Sequence, residues 1–371
     1  MDSSPLTHLP QDTLHLIFSH LPLRQIFICR SLSTFFNETL TSPSFTNLIS
    51  LSKPPLHLIA LRHRHVSPQP YLHVFDPDLR QWLRFPFDFL PFRSAIPVAS
   101  SPGLVYLWAE SNTESGTKSL VICNPLTRRY KVLPQLGSAW SRHGTILVGL
   151  GGRVLVLTEL AALYLSGSNL GVGFDSWLKF SSNLASKPRS PILVGDTVFA
   201  LCDTGSPWRS QWKLFSCTVP EHGSLQRWSW NWNRLEKDEW RDVFDILKRP
   251  RLVRGEGNQV LMVGGLKSSY SLNASCSTIL ILRLDLGTME WDEAGRMPHD
   301  MFLTFQESSK FKVFGGGNLV CFSGRRVRRL AMWEASSALG HWRWVEGAPG
   351  YGDGLVRGFV FEARLTTGLD I

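Results

Sequence analysis

The sequence predicts a mainly β protein in which a short helical segment precedes a large domain built from repeated β units. Aromatic residues that follow a turn recur about every fifty residues from Trp82 to Trp342. Thirty glycines and 22 prolines are spread along the 371 residues, which suits many short strands and turns better than long helices. With 43% hydrophobic and 19% charged residues, the chain can bury a substantial core.

Three short helices are predicted in the first fifty residues. The first begins near Pro10, which suits a first helical turn because its missing N–H would be unpaired there anyway, and it ends before Pro22. One apolar face follows the spacing i, i+3, i+4 and i+7, with the residues Leu14, Ile17, Phe18 and Leu21. The second helix is predicted over residues 23–29 and the third over residues 31–40, where Ser42-Pro43-Ser44 ends it. Three such helices cannot build a self-sufficient core, so their surplus apolar surface must pack on another protein or on the rest of the chain.

The motifs of this segment occur in an order that resembles an F-box. They are Leu9-Pro10-x-Asp12-x-Leu14-x-x-Ile17, Leu21-Pro22-Leu23-x-x-Ile26, Arg30-Ser31-Leu32-Ser33-x-Phe35-Phe36 and Leu40-x-Ser42-Pro43-x-Phe45. The resemblance covers residues 6–46. The chain departs from the usual pattern at residues 31–35, where Val-Cys-Lys-x-Trp is typical, although Phe35 keeps an aromatic side chain in place.

The F-box resemblance implies that residues 1–50 bind a Skp-type adaptor and, through it, a cullin. The side chains expected to bury against the adaptor are the apolar residues of the motif, Leu9, Pro10, Leu14, Ile17, Leu21, Leu23, Ile26 and Phe35. Some of these must instead face the small core of the F-box itself, and the sequence does not separate the two groups.

Three later segments share one pattern, in which a strand ends in an Asx residue, turns, and starts a new strand with an aromatic residue. They span residues 74–82, 122–130 and 283–291. In each, Asp or Asn precedes the aromatic residue by six positions, and a proline follows it. The pattern predicts a hairpin whose aromatic side chain packs between neighbouring sheets.

The repeat is measured by six aromatic anchors, which are Trp82, Tyr130, Trp177, Trp230, Trp291 and Trp342. Successive anchors are 48, 47, 53, 61 and 51 residues apart, with a mean of 52, close to the period of about 50 residues of kelch repeats. Glycine clusters at residues 151–152, 264–265 and 315–317 support the period, since Gly315 follows Gly264 by 51 residues. The repeats at Trp177 and Trp230 are the weakest, because neither has a clean Asp-Pro turn. Trp228 and Trp232 also leave the register at Trp230 open.

This pattern resembles a degenerate kelch β-propeller of six blades over residues 55–365, each blade a four-stranded antiparallel sheet. The last apolar segment, residues 356–361, has no anchor of its own. We therefore expect it to complete the first blade, which opens at residues 56–61. A plain β-sandwich is the alternative, but it would not produce six evenly spaced anchors. The full prediction is a three-helix F-box in residues 1–50 followed by a six-bladed kelch-type β-propeller in residues 51–371.

The charge is uneven, and its basic clusters are interpreted first as a solvated loop rim and second as a site for an acidic partner. Residues 1–50 carry a net charge of −1, whereas the rest carries +10, with 37 basic against 27 acidic residues. A basic body can attract nucleic acid, a membrane face or an acidic protein. No nucleic-acid module is recognisable by its spacing, and no stretch reaches the length of a membrane span. We expect a protein substrate, for which an acidic surface would be complementary, at basic and aromatic loop residues, of which the candidates are Trp208, Trp212, Arg325, Arg326, Arg328 and Arg329. A second basic cluster lies in residues 248–254.

Catalytic motifs do not stand out from the sequence. There is no phosphate loop, no Gly-x-Ser-x-Gly elbow and no His-Glu-x-x-His. His63 and His65 have the alternate spacing of a metal pair on a strand, but surface histidines are the favoured interpretation. Acidic residues in a helix-like insert at residues 236–247 are interpreted as a solvated helical face and not as catalytic carboxylates. We expect no cofactor. Six widely spaced cysteines without a Cys-x-x-Cys pair predict reduced thiols, as in the nucleus or cytoplasm.

An F-box followed by a kelch propeller is similar to the plant F-box/kelch proteins, with the layout of the Unusual Floral Organs branch and its turn Asn124-Pro125-Leu126. The resemblance implies a non-catalytic substrate receptor of an SCF-type ubiquitin ligase. Three alternatives remain open at this point. One is a propeller scaffold that never joins a ligase and whose helices cap the ring, and a second, less favoured, is a propeller enzyme. The third is a nucleic-acid-associated regulator that is recruited through the basic rim and binds in a strongly salt-dependent way.

Overall fold

The computed structural model describes residues 8–30, 32–50, 55–62, 71–110, 118–149, 152–166, 175–206, 208–219, 230–240, 243–269, 275–306, 311–335, 340–349 and 355–365. Over these residues the chain forms a cluster of N-terminal helices followed by six four-stranded antiparallel sheets. The predicted mainly β architecture, with an N-terminal helical module and a six-bladed propeller, is therefore confirmed. None of the helices in the described ranges combines the length and the apolar character needed to cross a bilayer.

The N-terminal module contains four helices rather than the three that the sequence predicts. They are α1 (Gln11–Ser19), α2 (Leu23–Arg30), α3 (Thr34–Thr41) and α4 (Pro43–Ser50). Ser33 caps α3, since its hydroxyl accepts a hydrogen bond from the N–H of Phe36 at 3.2 Å. Ser42-Pro43-Ser44 ends α3 as predicted, but it also starts α4, because the Ser42 hydroxyl accepts the N–H of Phe45 at 3.3 Å and Pro43 occupies the first turn.

Blade 1 combines the first strands of the propeller with the last strand of the chain. Its order is β24 (Arg357–Ala363), β1 (Leu56–Arg62), β2 (Tyr71–Asp76) and β3 (Gln81–Pro86). β24 pairs with β1 along its whole length, from Leu56 opposite Ala363 to Arg62 opposite Arg357. The prediction that the last strand completes the first blade is confirmed, and the closure removes two exposed sheet edges.

The other five blades are built from four consecutive strands each. Blade 2 contains β4 (Ser94–Ser101), β5 (Leu104–Glu110), β6 (Lys118–Asn124) and β7 (Arg129–Val132). Blade 3 contains β8 (Thr145–Val148), β9 (Val154–Leu157), β10 (Leu160–Leu165) and β11 (Ser176–Ser181). Blade 4 contains β12 (Arg189–Val194), β13 (Thr197–Asp203), β14 (Trp212–Thr218) and β15 (Asn233–Leu235). Blade 5 contains β16 (Leu247–Arg254), β17 (Gln259–Lys267), β18 (Cys276–Asp285) and β19 (Glu290–Arg296). Blade 6 contains β20 (Phe311–Gly316), β21 (Leu319–Gly324), β22 (Leu330–Glu334) and β23 (His341–Val345).

The ring is held together by apolar cores between neighbouring blades. The inner strands β24, β4, β8, β12, β16 and β20 contact one another in that order around the axis. Each of six apolar clusters joins two adjacent blades, because alternate residues of a strand point to opposite faces of its sheet. Two short helices, α5 (Ser138–His143) and α6 (His299–Gln306), lie in the links between blades 2 and 3 and between blades 5 and 6.

The predicted Asx turns have the same geometry in three blades. The side-chain oxygens of Asp76, Asn124 and Asp285 each accept hydrogen bonds from the backbone N–H groups two and three residues ahead, at 2.7–3.2 Å. The chain then passes through a residue of positive φ, such as Arg80 at 53° and Arg128 at 59°. The side-chain bonds hold this conformation, which explains why an Asx residue recurs six positions before the aromatic one.

The aromatic anchors lie on the outer strands and join neighbouring blades. The indole N–H of Trp82 donates to the carbonyl of Glu346 at 2.8 Å, and that of Trp177 donates to Pro134 at 2.7 Å. In blade 4 the equivalent bond, 2.6 Å long, comes from Trp232 to the carbonyl of Ser182. Trp232 is therefore the anchor in place of the predicted Trp230, which is buried and stacks on it with ring centroids 5.6 Å apart. Trp228 lies outside the described residues.

Two further expectations are corrected. The glycine clusters are not equivalent, because Gly264 lies in β17, the second strand of its blade, whereas Gly315 lies in β20, the first strand of the next. Their spacing of 51 residues is a coincidence. The predicted helix-like insert at residues 236–247 contains only the 3-10 turn Asp238–Trp240 among its described residues, with Trp240 and Phe244 buried between blades 4 and 5.

Candidate functional site

The helical module shares one apolar core with blades 1 and 2. This core joins Phe18 and Leu40 of the helices to propeller residues such as Leu58 and Phe87. The rings of Phe27 in α2 and Phe85 in β3 meet edge to face, with centroids 6.4 Å apart. The surplus apolar surface of the helices is therefore covered in part by the rest of the chain, one of the two possibilities that the sequence leaves open.

An ion pair adds a polar connection between α2 and blade 1. The Arg24 guanidinium donates to both carboxylate oxygens of Asp76 through Nε at 2.5 Å and Nη2 at 2.9 Å, and to Asp78 at 2.5 Å. Asp76 is fully buried, and the same carboxylate organises the Asx turn of blade 1. The hydrogen bond to Asp76 raises the pKa of Arg24 further above its usual value. The turn that builds the blade is thus also the attachment point of the helices.

The structure places the predicted adaptor-binding residues in three different environments. Leu14, Leu23 and Ile26 are buried in the core shared with the propeller. Leu9, Leu21 and Phe35 pack against that core and are half-buried. The exposed members are Pro10 and Ile17. Ile17 thus lies off the buried face of α1, although the helical spacing predicts it there.

Other apolar side chains of the module, which the sequence reasoning missed, are exposed. Leu16, Ile28, Leu32 and Leu48 are 49–66% exposed, and Ile17 is 41% exposed. We call these five residues the exposed apolar set. Leu16 and Ile28 break the helical periodicity, and this break is the only sequence signal that could have found them. His15, which was also missed, is buried in place of Ile17, with Nε2 3.3 Å from the Ser42 hydroxyl and its ring against Phe45.

The predicted substrate residues lie at one end of the blades. Strand direction places the loops between second and third strands at the same end as the links between blades, and we call this the linker end. Trp208 lies in the loop between β13 and β14, and the arginines of residues 325–329 lie in the loop between β21 and β22. The Asx turn at Asp76 lies at the opposite end, where α2 is attached. The topology therefore brings the two predicted groups to one end of the ring.

The individual candidates differ in how accessible they are. Trp208 is 89% exposed, and Arg325, Arg326 and Arg328 are exposed. Trp212 is half-buried under the guanidinium of Arg189, whose carbon lies 4.9 Å from the ring centroid. Arg329 stacks on Trp344 at 3.9 Å and pairs with Glu346 at 3.4 Å, so part of its role is structural.

Among the acidic residues near blade 4, Glu236 has a pKa shifted in the wrong direction for a general acid. Glu236 accepts hydrogen bonds from Lys213 at 2.8 Å and from Arg234, and the bond from Lys213 is the main reason that its pKa is lowered. A catalytic acid requires a raised pKa. His63 and His65, the possible metal pair, lie outside the described residues.

Comparison with known proteins agrees with this architecture. The family model described as F-box domain matches residues 6–48. SKP1-interacting partner 15 of Arabidopsis thaliana is 61% identical over 381 residues, covering 99% of both chains. Protein UNUSUAL FLORAL ORGANS of Arabidopsis thaliana is 23% identical over 99% of this chain and 87% of its own, so the predicted likeness in layout is confirmed, although the first relative is far more similar. An F-box/kelch-repeat protein of the same plant, At5g43190, is 27% identical over 80% of this chain and 70% of its own. The chain therefore belongs to the F-box protein family that includes SKP1-interacting partner 15.

Proposed function

We propose that this protein is the substrate-recognition subunit of an SCF-type ubiquitin ligase. Its F-box binds a Skp-type adaptor, and through it a cullin, while the linker end of the propeller binds a protein substrate. The exposed apolar set on the F-box carries the proposal, because it leaves five large apolar side chains of one small helical module open to solvent, and exposed apolar surface is a mark of protein interfaces. The name of the 61% identical relative, SKP1-interacting partner 15, supports the same partner.

The receptor performs no bond chemistry in this proposal. It raises the effective concentration of the substrate near the ubiquitin-loaded enzyme, as any linker of two binding modules does. The shared core and the bond from Arg24 to Asp76 support this role, since they hold the F-box in one position on the propeller. Six free cysteines are consistent with a reducing nucleus or cytoplasm, which we propose as its location. We propose the kelch type for the propeller on the aromatic period alone.

The adaptor contact is tested by pulling down a purified Skp-type adaptor with the intact chain and with two variants. Leu16→Asp places a charge in the exposed apolar set, and we expect adaptor binding to weaken by about tenfold or more. Leu303→Asp, on the exposed face of α6, is the matched control, since it changes the same residue type at 45% exposure and should bind as the intact chain does.

Two outcomes would count against the receptor role. If the folded intact chain binds no Skp-type adaptor, the scaffold alternative replaces it. If both variants bind as tightly as the intact chain, the adaptor contact lies elsewhere than in the exposed apolar set. Circular dichroism of each variant shows that a loss of binding is not a loss of folding.

A further inference from the structure

The turn that leads into β7, the outer strand of blade 2, lies beside the helical module. Leu126 of this turn is buried in the core that the helices share with blades 1 and 2. Arg30, the last residue of α2, is half-buried, and its pKa is lowered to about 10 by burial and, second, by the charge of Arg128. The start of β7 is therefore close to the end of α2, where Ile28 and Leu32 of the exposed apolar set are found.

The aromatic anchor of blade 2 is more exposed than those of the other blades. Tyr130 is 39% exposed, whereas the tryptophan anchors of the other five blades are half-buried. Its ring lies 6.5 Å from that of Phe89, which packs against the core shared with the helices. Val132 is 43% exposed on the same face of β7, while Lys131 points to the opposite face and pairs with Asp175 of blade 3 at 3.1 Å. We call Tyr130 and Val132 the β7 pair.

The backbone groups of the β7 pair face the open edge of the blade. The N–H of Leu133 donates to the carbonyl of Leu120 at 2.9 Å, which fixes the alternation of the ladder between β6 and β7. Hydrogen-bonded and non-hydrogen-bonded positions alternate along an antiparallel pair, so Arg129 and Lys131 likewise bond to β6. The N–H and C=O groups of the β7 pair, at the positions between them, point outward. Such an edge can pair with an extended segment of another chain.

Basic side chains border the β7 pair. Arg129 is exposed, and the exposed Arg128 holds its guanidinium carbon 5.5 Å from the ring centroid of Phe89 while it pairs with Asp88 at 2.8 Å. Together with Arg30, these side chains carry a net positive charge. Tyrosine and arginine are enriched at protein interfaces, and opposite charges face each other across them. The surface therefore suits a segment that combines apolar and acidic side chains.

We propose that the adaptor bound by the F-box also contacts blade 2, where an extended acidic segment of the adaptor lies along the β7 pair. The inference rests on the proposed receptor function and extends its adaptor site from the helices onto the propeller. Continuity supports this occupant, since Ile28 and Leu32 at the end of α2 lie close to the turn that starts β7. Contact through both modules fixes the orientation of the propeller on the adaptor, and with it the position of a bound substrate.

The test is isothermal titration calorimetry of a purified Skp-type adaptor with the full chain. Tyr130→Thr with Val132→Thr keeps residues that favour a strand and removes the apolar surface, and we expect it to lose about tenfold in affinity. Leu160→Thr is the matched control, since Leu160 is 51% exposed at the linker end of blade 3 and should not touch the adaptor. Arg129→Glu should also weaken binding, most strongly at low salt. Lys179→Glu, the same charge change on the exposed outer strand of blade 3, should leave binding unchanged.

Hydrogen exchange tests whether the adaptor pairs with the strand edge itself. In the free chain the N–H groups of the β7 pair face solvent, so they should exchange rapidly. Adaptor binding should slow exchange at Tyr130 and Val132, because both N–H groups gain an acceptor. Peptides from β11, the corresponding outer strand of blade 3, should exchange at the same rate with and without the adaptor.

The proposal is overturned if the folded Tyr130/Val132 variant binds the adaptor as the intact chain does, or if exchange in β7 does not change on binding. Self-association of the chain alone, seen by analytical ultracentrifugation and lost in this variant, would assign the β7 pair to a second copy instead. If the double variant does not fold, Arg129→Glu at its exposed side chain decides the test by itself. Failure of the receptor function looks different, because the intact chain would then bind no adaptor at all, whereas failure of the blade 2 contact alone leaves binding that Leu16→Asp still weakens.

Discussion

Replacing Arg24 with methionine tests whether the buried ion pair attaches the helices to the propeller. The variant keeps the aliphatic stem and removes the charge that faces Asp76. Removing one partner of a buried pair costs about 3–5 kcal/mol. Arg24 is 26% exposed, and Asp76 keeps two backbone N–H donors from its Asx turn, so water and backbone compensate part of the loss. We expect Arg24→Met to lower the free energy of unfolding by about 2–3 kcal/mol.

The measurement is urea-induced unfolding followed by tryptophan fluorescence, with Arg283→Met as the matched control. Arg283 also bonds to both oxygens of a carboxylate, that of Asp292, but the two side chains are 34% and 50% exposed. Exposed pairs contribute about 1 kcal/mol or less, so this control should change stability little. Equal losses of free energy of unfolding in Arg24→Met and Arg283→Met would refute the reasoning, because burial would then not change how much an ion pair contributes to stability.

A double-mutant cycle separates the ion pair from the turn. In blade 2, Asn124 occupies the position of Asp76 and makes the same turn with an amide oxygen, while its Nδ2 donates to the carbonyl of Arg364 at 3.2 Å. Asp76→Asn is therefore compatible with the turn. In Arg24→Met/Asp76→Asn no charge is left buried, and we expect this double variant to recover about 1–2 kcal/mol relative to Arg24→Met. The cycle also measures Asp76→Asn alone. If the losses in free energy of unfolding of Arg24→Met and Asp76→Asn add up to the loss in the double variant, the two side chains do not interact directly.

Two further predictions concern single aromatic side chains. Trp232→Phe removes the indole hydrogen bond to the carbonyl of Ser182 and should lower the free energy of unfolding in urea by about 1–2 kcal/mol. Trp208→Phe, at a side chain that is 89% exposed, should change it by no more than about 0.5 kcal/mol. A larger loss in Trp208→Phe than in Trp232→Phe would reject Trp232 as an anchor. Burial raises the pKa of Tyr106 from 10.0 to about 12, so the folded state favours the neutral phenol. The contribution of this group to the free energy of unfolding is complete below pH 10 and is lost as the pH rises from about 10 to 12. Tyr106→Phe should flatten the fall in urea midpoint over this pH range, and Tyr130→Phe, on an exposed side chain, should not; equal slopes in both variants would contradict the assignment.

Much of the propeller could be predicted because its signals are local. An Asx side chain reaches backbone N–H groups two and three residues ahead, so the turns at Asp76, Asn124 and Asp285 depend on contiguous residues. The register of blade 4 could not be predicted in the same way. Trp230 and Trp232 are both tryptophans next to a short outer strand, and only the position of the Ser182 carbonyl in the preceding blade makes Trp232 the anchor.

The candidate sites were harder to predict for the same reason. Leu14, Leu23 and Ile26 match the F-box motif, but nothing in their own segment reveals that blades 1 and 2 help to bury them. The motif locates the module without assigning each side chain to the adaptor or to the core. The division of the chain at residue 50 stays a prediction, since the helices and the first two blades share that core.

The sequence by itself determined the order of the parts, namely an F-box, a repeated hairpin with an aromatic anchor, and a last strand left over to close the ring. These features depend on the spacing of residues along the chain, which the sequence gives directly. Only the tertiary structure decided that Arg24 pairs with Asp76, that Ile17 is exposed while His15 is buried, and that Tyr130 of blade 2 is more exposed than the other anchors. Each of these depends on residues from distant segments, whose proximity is set by closure of the ring and by competition for a limited apolar core.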